Sequence, residues 1–218
     1  WVEKAIELLG SPFKKVPFVA LYMTPTHHRK AMGLGPKGRH DWIYDQFFKR
    51  FLGLKQLKSV LAIDPYFVEY CRRHYGRNRG KVRYAPDFGH VKPGASPTES
   101  RRKLEIKESD IVILVYGSLS LRKGVVELLE GLMAAGNPPE IKVLLAGNQD
   151  LELKETLCQE RFAQGSDINL VQRPFFHIDD EEALVFAAAN WVWLGYRPPF
   201  YGSSGVFHKS ISVHLPVV

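Results

Sequence analysis

The run Asp110-Ile-Val-Ile-Leu-Val-Tyr-Gly-Ser-Leu-Ser-Leu-Arg-Lys-Gly124 constrains this chain more than any other segment. Ile111 to Val115 are all apolar and suit a strand covered on both faces, while Val125 to Leu132 carries the apolar repeat of a helix packed against it. A buried strand that stops at a glycine and hands over to a helix belongs in a parallel sheet. At the carboxyl edge of such a sheet, amides at a helix start and a neighbouring cation neutralise an anionic ligand. Gly117, Gly124, Arg122 and Lys123 stand where that chemistry needs them. The competing reading is an ordinary strand-loop-helix connection with solvated basic residues.

The rest of the chain repeats the alternation. Strands are predicted at 18–23, 59–63, 82–84, 111–115, 141–146, 168–171 and 191–194, and helices at 41–57, 66–75, 124–135, 151–163, 180–189 and 204–213. Strands alternating with helices of this length imply α/β architecture, with parallel sheets clad on both faces. Val91-Lys-Pro-Gly-Ala-Ser-Pro-Thr98 reads as a linker. The expected organisation is therefore two Rossmann-like domains, 1–95 and 96–218, with a ligand cleft between them.

Charge supports the division. Residues 1–95 hold 18 Lys and Arg against 7 Asp and Glu, whereas 96–218 hold 12 against 16, within a net charge of +7. The basic front half suits peripheral contact with an anionic membrane, an acidic acceptor or nucleic acid, set against a solvated face with no partner. Its cations are scattered without a nucleic-acid recognition motif, so no nucleic acid is expected. No apolar run approaches the ~18 residues of a membrane span, and Trp1-Val-Glu-Lys does not read as a signal peptide. Cys71 and Cys158 are the only cysteines, both expected to be buried, which excludes a disulfide framework and fits a reducing compartment. A start without Met and a halt at Pro216-Val-Val218 give the expectation of a fragment.

In the second half each strand ends in a residue suited to a ligand. Gly117 follows the first strand and Gly147 the second; Arg173-Pro-Phe-Phe176 follows the third, Tyr196-Arg-Pro-Pro199 the fourth, and Tyr201-Gly-Ser-Ser-Gly205 opens the last helix. Together they suit a nucleotide diphosphate. Arg122 and Lys123 would pair with phosphates, Gly202, Ser203, Ser204 and Gly205 would offer amides and hydroxyls, and Phe175 or Phe176, beside Arg173, would cover a base. Core packing of the phenylalanines and a plain helix N-cap at Ser203-Ser204 are the alternatives.

The order Gly117-Ser-Leu-Ser-Leu-Arg-Lys-Gly124, Lys142-Val-Leu-Leu-Ala-Gly147, Tyr201-Gly-Ser-Ser-Gly-Val206 and His214-Leu-Pro-Val-Val218 resembles the donor half of group 1 glycosyltransferases, the retaining family-four enzymes of GT-B fold. Ser59-Val-Leu-Ala-Ile-Asp-Pro65 and Lys81-Val-Arg-Tyr-Ala-Pro-Asp87 resemble the end of that family's acceptor domain, so the likeness covers nearly the whole chain, with the first and last elements of the fold missing. The resemblance implies transfer of a sugar from a nucleotide-diphosphate sugar to an acceptor hydroxyl, with retention, no metal and no cofactor beyond that co-substrate. A glycan, lipid-linked or small-molecule acceptor and a cytoplasmic site, peripheral at the inner membrane face, go with it.

Carried over residue by residue, the family's Gly-Arg-Leu-x-x-x-Lys-Gly loop falls on Gly117, Ser118, Leu119, Lys123 and Gly124. Lys123 is then expected on the donor diphosphate, and Arg122 replaces the arginine that is Ser118 here. Two glutamates that the family spaces along its last donor helix fall on Tyr201 and Lys209. Lysine has donors only and cannot accept bonds from a ribose, so Lys209 would add a cation for phosphate instead, and Tyr201 would offer a hydroxyl near the transferred sugar. The family's acceptor-side histidine falls on Met23; His27 and His28, a few residues later in a loop, are the catalytic candidates there, with solvent exposure as the alternative. The lost glutamates also motivate a second reading, a noncatalytic sugar-nucleotide or glycan-binding domain of the same fold.

Overall fold

The structure is a computed structural model and describes residues 15–23, 25–36, 38–159, 162, 169–173, 179–198 and 204–218. The chain divides into two compact units, the first ending at Asp87 and the second beginning at Phe88.

The first unit is built on a parallel sheet of β1 (Phe18–Tyr22), β2 (Leu57–Ala62) and β3 (Val82–Tyr84), in that order. Val60 and Ala62 of β2 bury one face against Phe48 and Phe51 of α1 (Asp41–Leu52) and Phe67 of α2 (Pro65–His74). The start of α2 is fixed by its own sequence. Asp64 accepts hydrogen bonds from the Tyr66 and Phe67 amides at 2.9 and 3.2 Å, and Pro65 takes a first-turn position that needs no amide donor. Helix α1 stops at Leu52, where the sequence predicts continuation to residue 57. Gly53 follows it, and the Lys81 amine caps the end by donating to the carbonyls of Leu52 and Leu54 at 2.6 and 3.1 Å. A cation suits the negative end of a helix, and the freed residues 53–56 turn the chain into β2, which Leu57 opens.

The second unit holds β4 (Ile111–Tyr116), β5 (Ile141–Ala146), β6 (Asn169–Arg173) and β7 (Trp191–Val192) in the order β6-β5-β4-β7, all parallel. Helices α3 (Pro97–Lys103), α4 (Val125–Ala134), α5 (Leu151–Leu157), α6 (Asp179–Ala188) and α7 (Gly205–Ser212) belong to it. Two-residue periodicity sorts the strands. Val112, Leu114 and Leu144 face a cluster that contains Phe186 of α6, while Val115, Val143 and Leu145 face Leu129 of α4 and Leu153 of α5. A sheet buried on both faces explains why Ile111 to Val115 and Val143 to Ala146 read as apolar runs. Beside β7, Val217 forms a parallel bridge with Val192.

Two expectations change. The Pro- and Gly-rich segment 91–98 is folded onto the second unit: Val91 is buried in its core, Lys92 pairs with Asp180, and Pro97 opens α3. The division therefore falls after Asp87 instead of near residue 95. Cys71 is buried as expected, but Cys158, just past α5, is exposed. Among the described residues no helix is long and apolar enough to cross a membrane.

At the amino edge of the second sheet, the buried guanidinium of Arg101 donates to the carbonyls of Ala188, Glu108 and Asp110 at 3.2, 2.7 and 3.1 Å and to Asn190 Oδ1 at 2.8 Å. Two chain segments, 108–110 and 188–190, are thus tied to α3 through one side chain. Arg101→Leu should lower stability by about 3 kcal/mol, because buried carbonyls lose their donors, and should show as a lower urea midpoint.

Candidate functional site

Strands β4 and β5 end in register, with Tyr116 opposite Ala146, and the Gly117 amide donates to the Ala146 carbonyl at 2.9 Å. Backbones crowd here: a Cβ on Gly147 would lie 1.9 Å from the Gly117 carbonyl oxygen. After Gly117 the chain loops through exposed Ser118 to a 3-10 turn, Leu121–Lys123, and a left-handed Gly124 that launches α4.

The turn sends Lys123 inward. It is 7% exposed, and its amine donates to the Tyr116 carbonyl at 2.5 Å and lies 5.5 Å from the centre of the Tyr196 ring. No carboxylate among the described residues pairs with it. Burial, and after it the positive charge of Arg122, push its pKa down to about 8. A Cβ on Gly117 would stand 3.5 Å from the Lys123 amine and 4.0 Å from Val206, so the strand end, the amine and the first turn of α7 converge.

Arg122 is exposed, with its guanidinium carbon 5.3 Å from the centre of the same Tyr196 ring. The hydroxyls of Tyr196 and Ser204 are 3.0 Å apart, and Ser204 caps α7 by accepting from the Phe207 amide at 3.3 Å. Segment 193–197 grips the cation loop by its backbone. Trp193 Nε1 donates to the carbonyls of Lys123 and Gly124 at 3.0 and 3.2 Å, the Arg197 amide donates to the Arg122 carbonyl at 2.8 Å, and the Arg197 side chain pairs with Glu127. The loop is thus seated before any ligand arrives.

Of the residues singled out by sequence, Gly117, Arg122, Lys123, Ser204 and Gly205 all lie at this edge. Lys209, expected as another phosphate cation, instead pairs with Glu182 of α6 and stands 5.4 Å from the Tyr116 ring centre. Burial, and after it the neighbouring Glu182 carboxylate, push the Tyr116 pKa up, so its hydroxyl stays protonated. Arg173 closes β6 opposite Ala146. Its side chain, and all of Phe175, Phe176, Tyr201, Gly202 and Ser203, lie outside the described residues.

The histidines depart from their expected setting. His27 and His28 are 5% and 0% exposed, with ring centres 5.3 and 5.2 Å from that of Phe67 in the first unit's aromatic core. His27 Nε2 meets the Tyr75 hydroxyl at 3.0 Å; Tyr75 and Tyr70 donate to Asp45 at 2.8 and 2.9 Å, and Lys49 pairs with Asp45 at 2.7 Å. His28 Nε2 lies 3.1 Å from Asp64. Burial outweighs the attraction of Asp45 and lowers the His27 pKa to about 4, which leaves that ring neutral at pH 7. Any part they take in chemistry is exerted from inside this core.

Trp193 escaped the sequence reading, and Tyr196 entered it only as a strand-end residue with no role assigned. The available signal was two aromatic residues just past a strand end, in the position where a parallel sheet places its ligand-facing side chains. A space of about 460 Å³ also opens at the amino edge, lined among others by Val91, Pro97, Arg101, Phe186, Asn190 and Leu215. With the Arg101 guanidinium tied to carbonyls, that space lacks the cationic set found at the carboxyl edge.

No protein-family model and no curated protein sequence matches the chain. Solved structures do. WaaG, a glycosyltransferase involved in lipopolysaccharide biosynthesis, superposes with a TM-score of 0.64 at 19% identity, over 100% of this chain and 61% of that one. The fold is GT-B-like. Anabaena HepE, solved with UDP and glucose, gives a TM-score of 0.68 at 16% identity, over 99% of this chain and 56% of its own. Sucrose-phosphate synthase from Thermosynechococcus elongatus gives 0.63 at 17% identity, over 91% and 49%. The chain therefore spans about half to three fifths of the length of these neighbours.

Proposed function

We propose that this chain carries the donor site of a glycosyltransferase that moves a sugar from a nucleotide-diphosphate sugar to an acceptor hydroxyl, with retention at the anomeric carbon and without a metal, as in group 1 enzymes. The observation that supports this most is Lys123, a buried cation with no carboxylate partner among the described residues, at the carboxyl edge of a parallel sheet. A charge held in that setting is costly unless an anion completes it. HepE, of the same fold, was solved with UDP-glucose, whose diphosphate would supply that anion.

As the bond between the sugar and the β-phosphate breaks, negative charge builds on the departing oxygen. Lys123 and Arg122, with the amides opening α7 at Ser204 and Gly205, would stabilise it, and because they are fixed beforehand they need little reorganisation. The proton of the acceptor hydroxyl would leave with the diphosphate. Tyr201 and the Arg173, Phe175 and Phe176 segment retain their proposed places near the sugar and the base. The basic first unit is the proposed acceptor side, taking a glycan or lipid-linked acceptor at an anionic membrane face; vesicles of anionic lipid at low salt should retain the protein, and 0.5 M salt should release it.

A thermal-shift panel of nucleotide sugars, run with EDTA, tests the donor assignment. One nucleotide should raise the Tm of the wild type and leave that of Lys123→Ala unchanged; a flat wild-type response to every donor sinks the proposal. Lys209 being bound to Glu182 sustains the noncatalytic alternative, since the family's acceptor group is absent from that helix position. Binding without release of nucleoside diphosphate in the presence of acceptors would decide for it.

A further inference from the structure

We infer that Tyr196 is the positioning residue of this site, a single aromatic plate that gathers Arg122, Lys123 and Ser204 around one diphosphate. The inference rests on the donor-site reading above and adds the element that assembles it. Arg122 and Lys123 are adjacent like charges, and held together they repel; the Tyr196 ring, its centre 5.3 and 5.5 Å from the two cationic groups, offsets that repulsion. A carboxylate in that place would compete with the ligand. An aromatic face attracts a cation without the full counter-charge that a carboxylate brings.

The hydroxyl of the same side chain reaches the other half of the cradle. Its bond to Ser204 Oγ, at 3.0 Å, ties the cation loop to the N-terminal turn of α7, whose cap is Ser204. Tyr196 itself is fixed from behind: its amide donates to the Leu194 carbonyl at 2.7 Å, and the next amide, of Arg197, donates to the Arg122 carbonyl at 2.8 Å. Ring, hydroxyl and backbone therefore set the spacing between two cations and one helix terminus, which is the spacing a pyrophosphate must match.

Calorimetric titration of the full chain with inorganic pyrophosphate and with UDP tests this, using wild type, Lys123→Met, Tyr196→Phe, Tyr196→Leu and Ser204→Ala. Tyr196→Phe keeps the ring and should lose about threefold in affinity, whereas Tyr196→Leu should lose about tenfold or more. A merely structural role would lower Tm without the two signatures expected here. In Tyr196→Leu, affinity should begin to fall at lower pH than in wild type, because Lys123 has lost a group that favours its charged form. In the Lys123→Met background the same change should cost much less, since one of the cations it positions is gone. Should Tyr196→Leu fail to fold, Tyr196→Phe and Ser204→Ala carry the test: both remove the bond between the two hydroxyls, and Ser204→Ala removes the α7 cap besides, so the double variant should bind as Ser204→Ala alone does, and additive losses overturn the inference. Wild type that binds neither probe overturns the donor-site reading and this inference with it. Wild-type binding that is lost in Lys123→Met but intact in Tyr196→Leu overturns this inference alone.

Discussion

Lys123→Met should produce a protein that binds nucleoside diphosphate at least about thirtyfold more weakly than wild type and yet unfolds at a higher temperature. The affinity loss follows from removing a charge-assisted contact in a water-poor setting, worth roughly 2–3 kcal/mol. The gain in stability has the same origin. The wild type keeps an ammonium group buried at 7% exposure, with its pKa near 8 instead of 10.5, so folding disfavours its proton. Below pH 8 both folded and unfolded chains carry the charge and the penalty is fully present. Between pH 8 and 10.5 the unfolded chain holds more protons than the folded one, so this group makes stability rise with pH. Urea unfolding of the two proteins in parallel should show methionine ahead by about 1 kcal/mol or more at pH 7, the gap narrowing as pH climbs past 8. Wild-type affinity for UDP should move the opposite way, falling above pH 8 as the amine loses its charge. A variant that is less stable than wild type and binds UDP as well as wild type does would show Lys123 to be a structural residue and nothing more.

Gly124→Ala is the other large effect. Gly124 sits at φ +65°, and a Cβ there would stand 1.9 Å from the Gly195 carbonyl oxygen and 3.4 Å from the Trp193 indole nitrogen. The left-handed backbone alone costs an alanine about 1 kcal/mol, and relief of the collision must lift the cation loop off segment 193–197, so about 3 kcal/mol of stability should go. UDP affinity should fall with it, because the lifted loop takes Arg122 and Lys123 away from Tyr196. Gly136→Ala is the control, with a similarly left-handed backbone, φ +82°, but open space around the missing Cβ. It should lose only the backbone part, with UDP binding unchanged. Equal losses in both variants would mean that the contact with Gly195 carries no weight.

How much of this was legible before the structure depended on the range of the forces involved. Strands such as Ile111–Tyr116 and Ile141–Ala146 announce themselves because burial on both faces demands a run of apolar side chains, interrupted in the second only by Lys142 near its start, and that requirement is written locally. The end of α1 was misplaced because its terminator, the Lys81 amine, comes from beyond the next helix. Segment 91–98 looked like a linker because Pro, Gly and Ser report on backbone freedom; they are silent on whether Val91 finds a core to enter. At the candidate site, Lys123 was visible as a cation in a glycine-bounded loop, but its burial and its seat against Tyr196 arise from strand order. His27 and His28 follow no period, and only the clustering of Phe48, Phe67, Tyr70 and Tyr75 from two helices and their edges draws them inside.

The grip on the cation loop has an evolutionary corollary. Trp193 and Arg197 hold residues 122–124 through main-chain oxygens, which every amino acid possesses. The side chains at exposed Ser118 and half-buried Ser120 are therefore at liberty to change while the amine at 123 stays where it is. Libraries randomised at those two positions should remain largely foldable, and their members should differ in which sugar nucleotide they prefer. A lineage could drift a long way in this rim, and exchange one donor for another, without first dismantling its anchor.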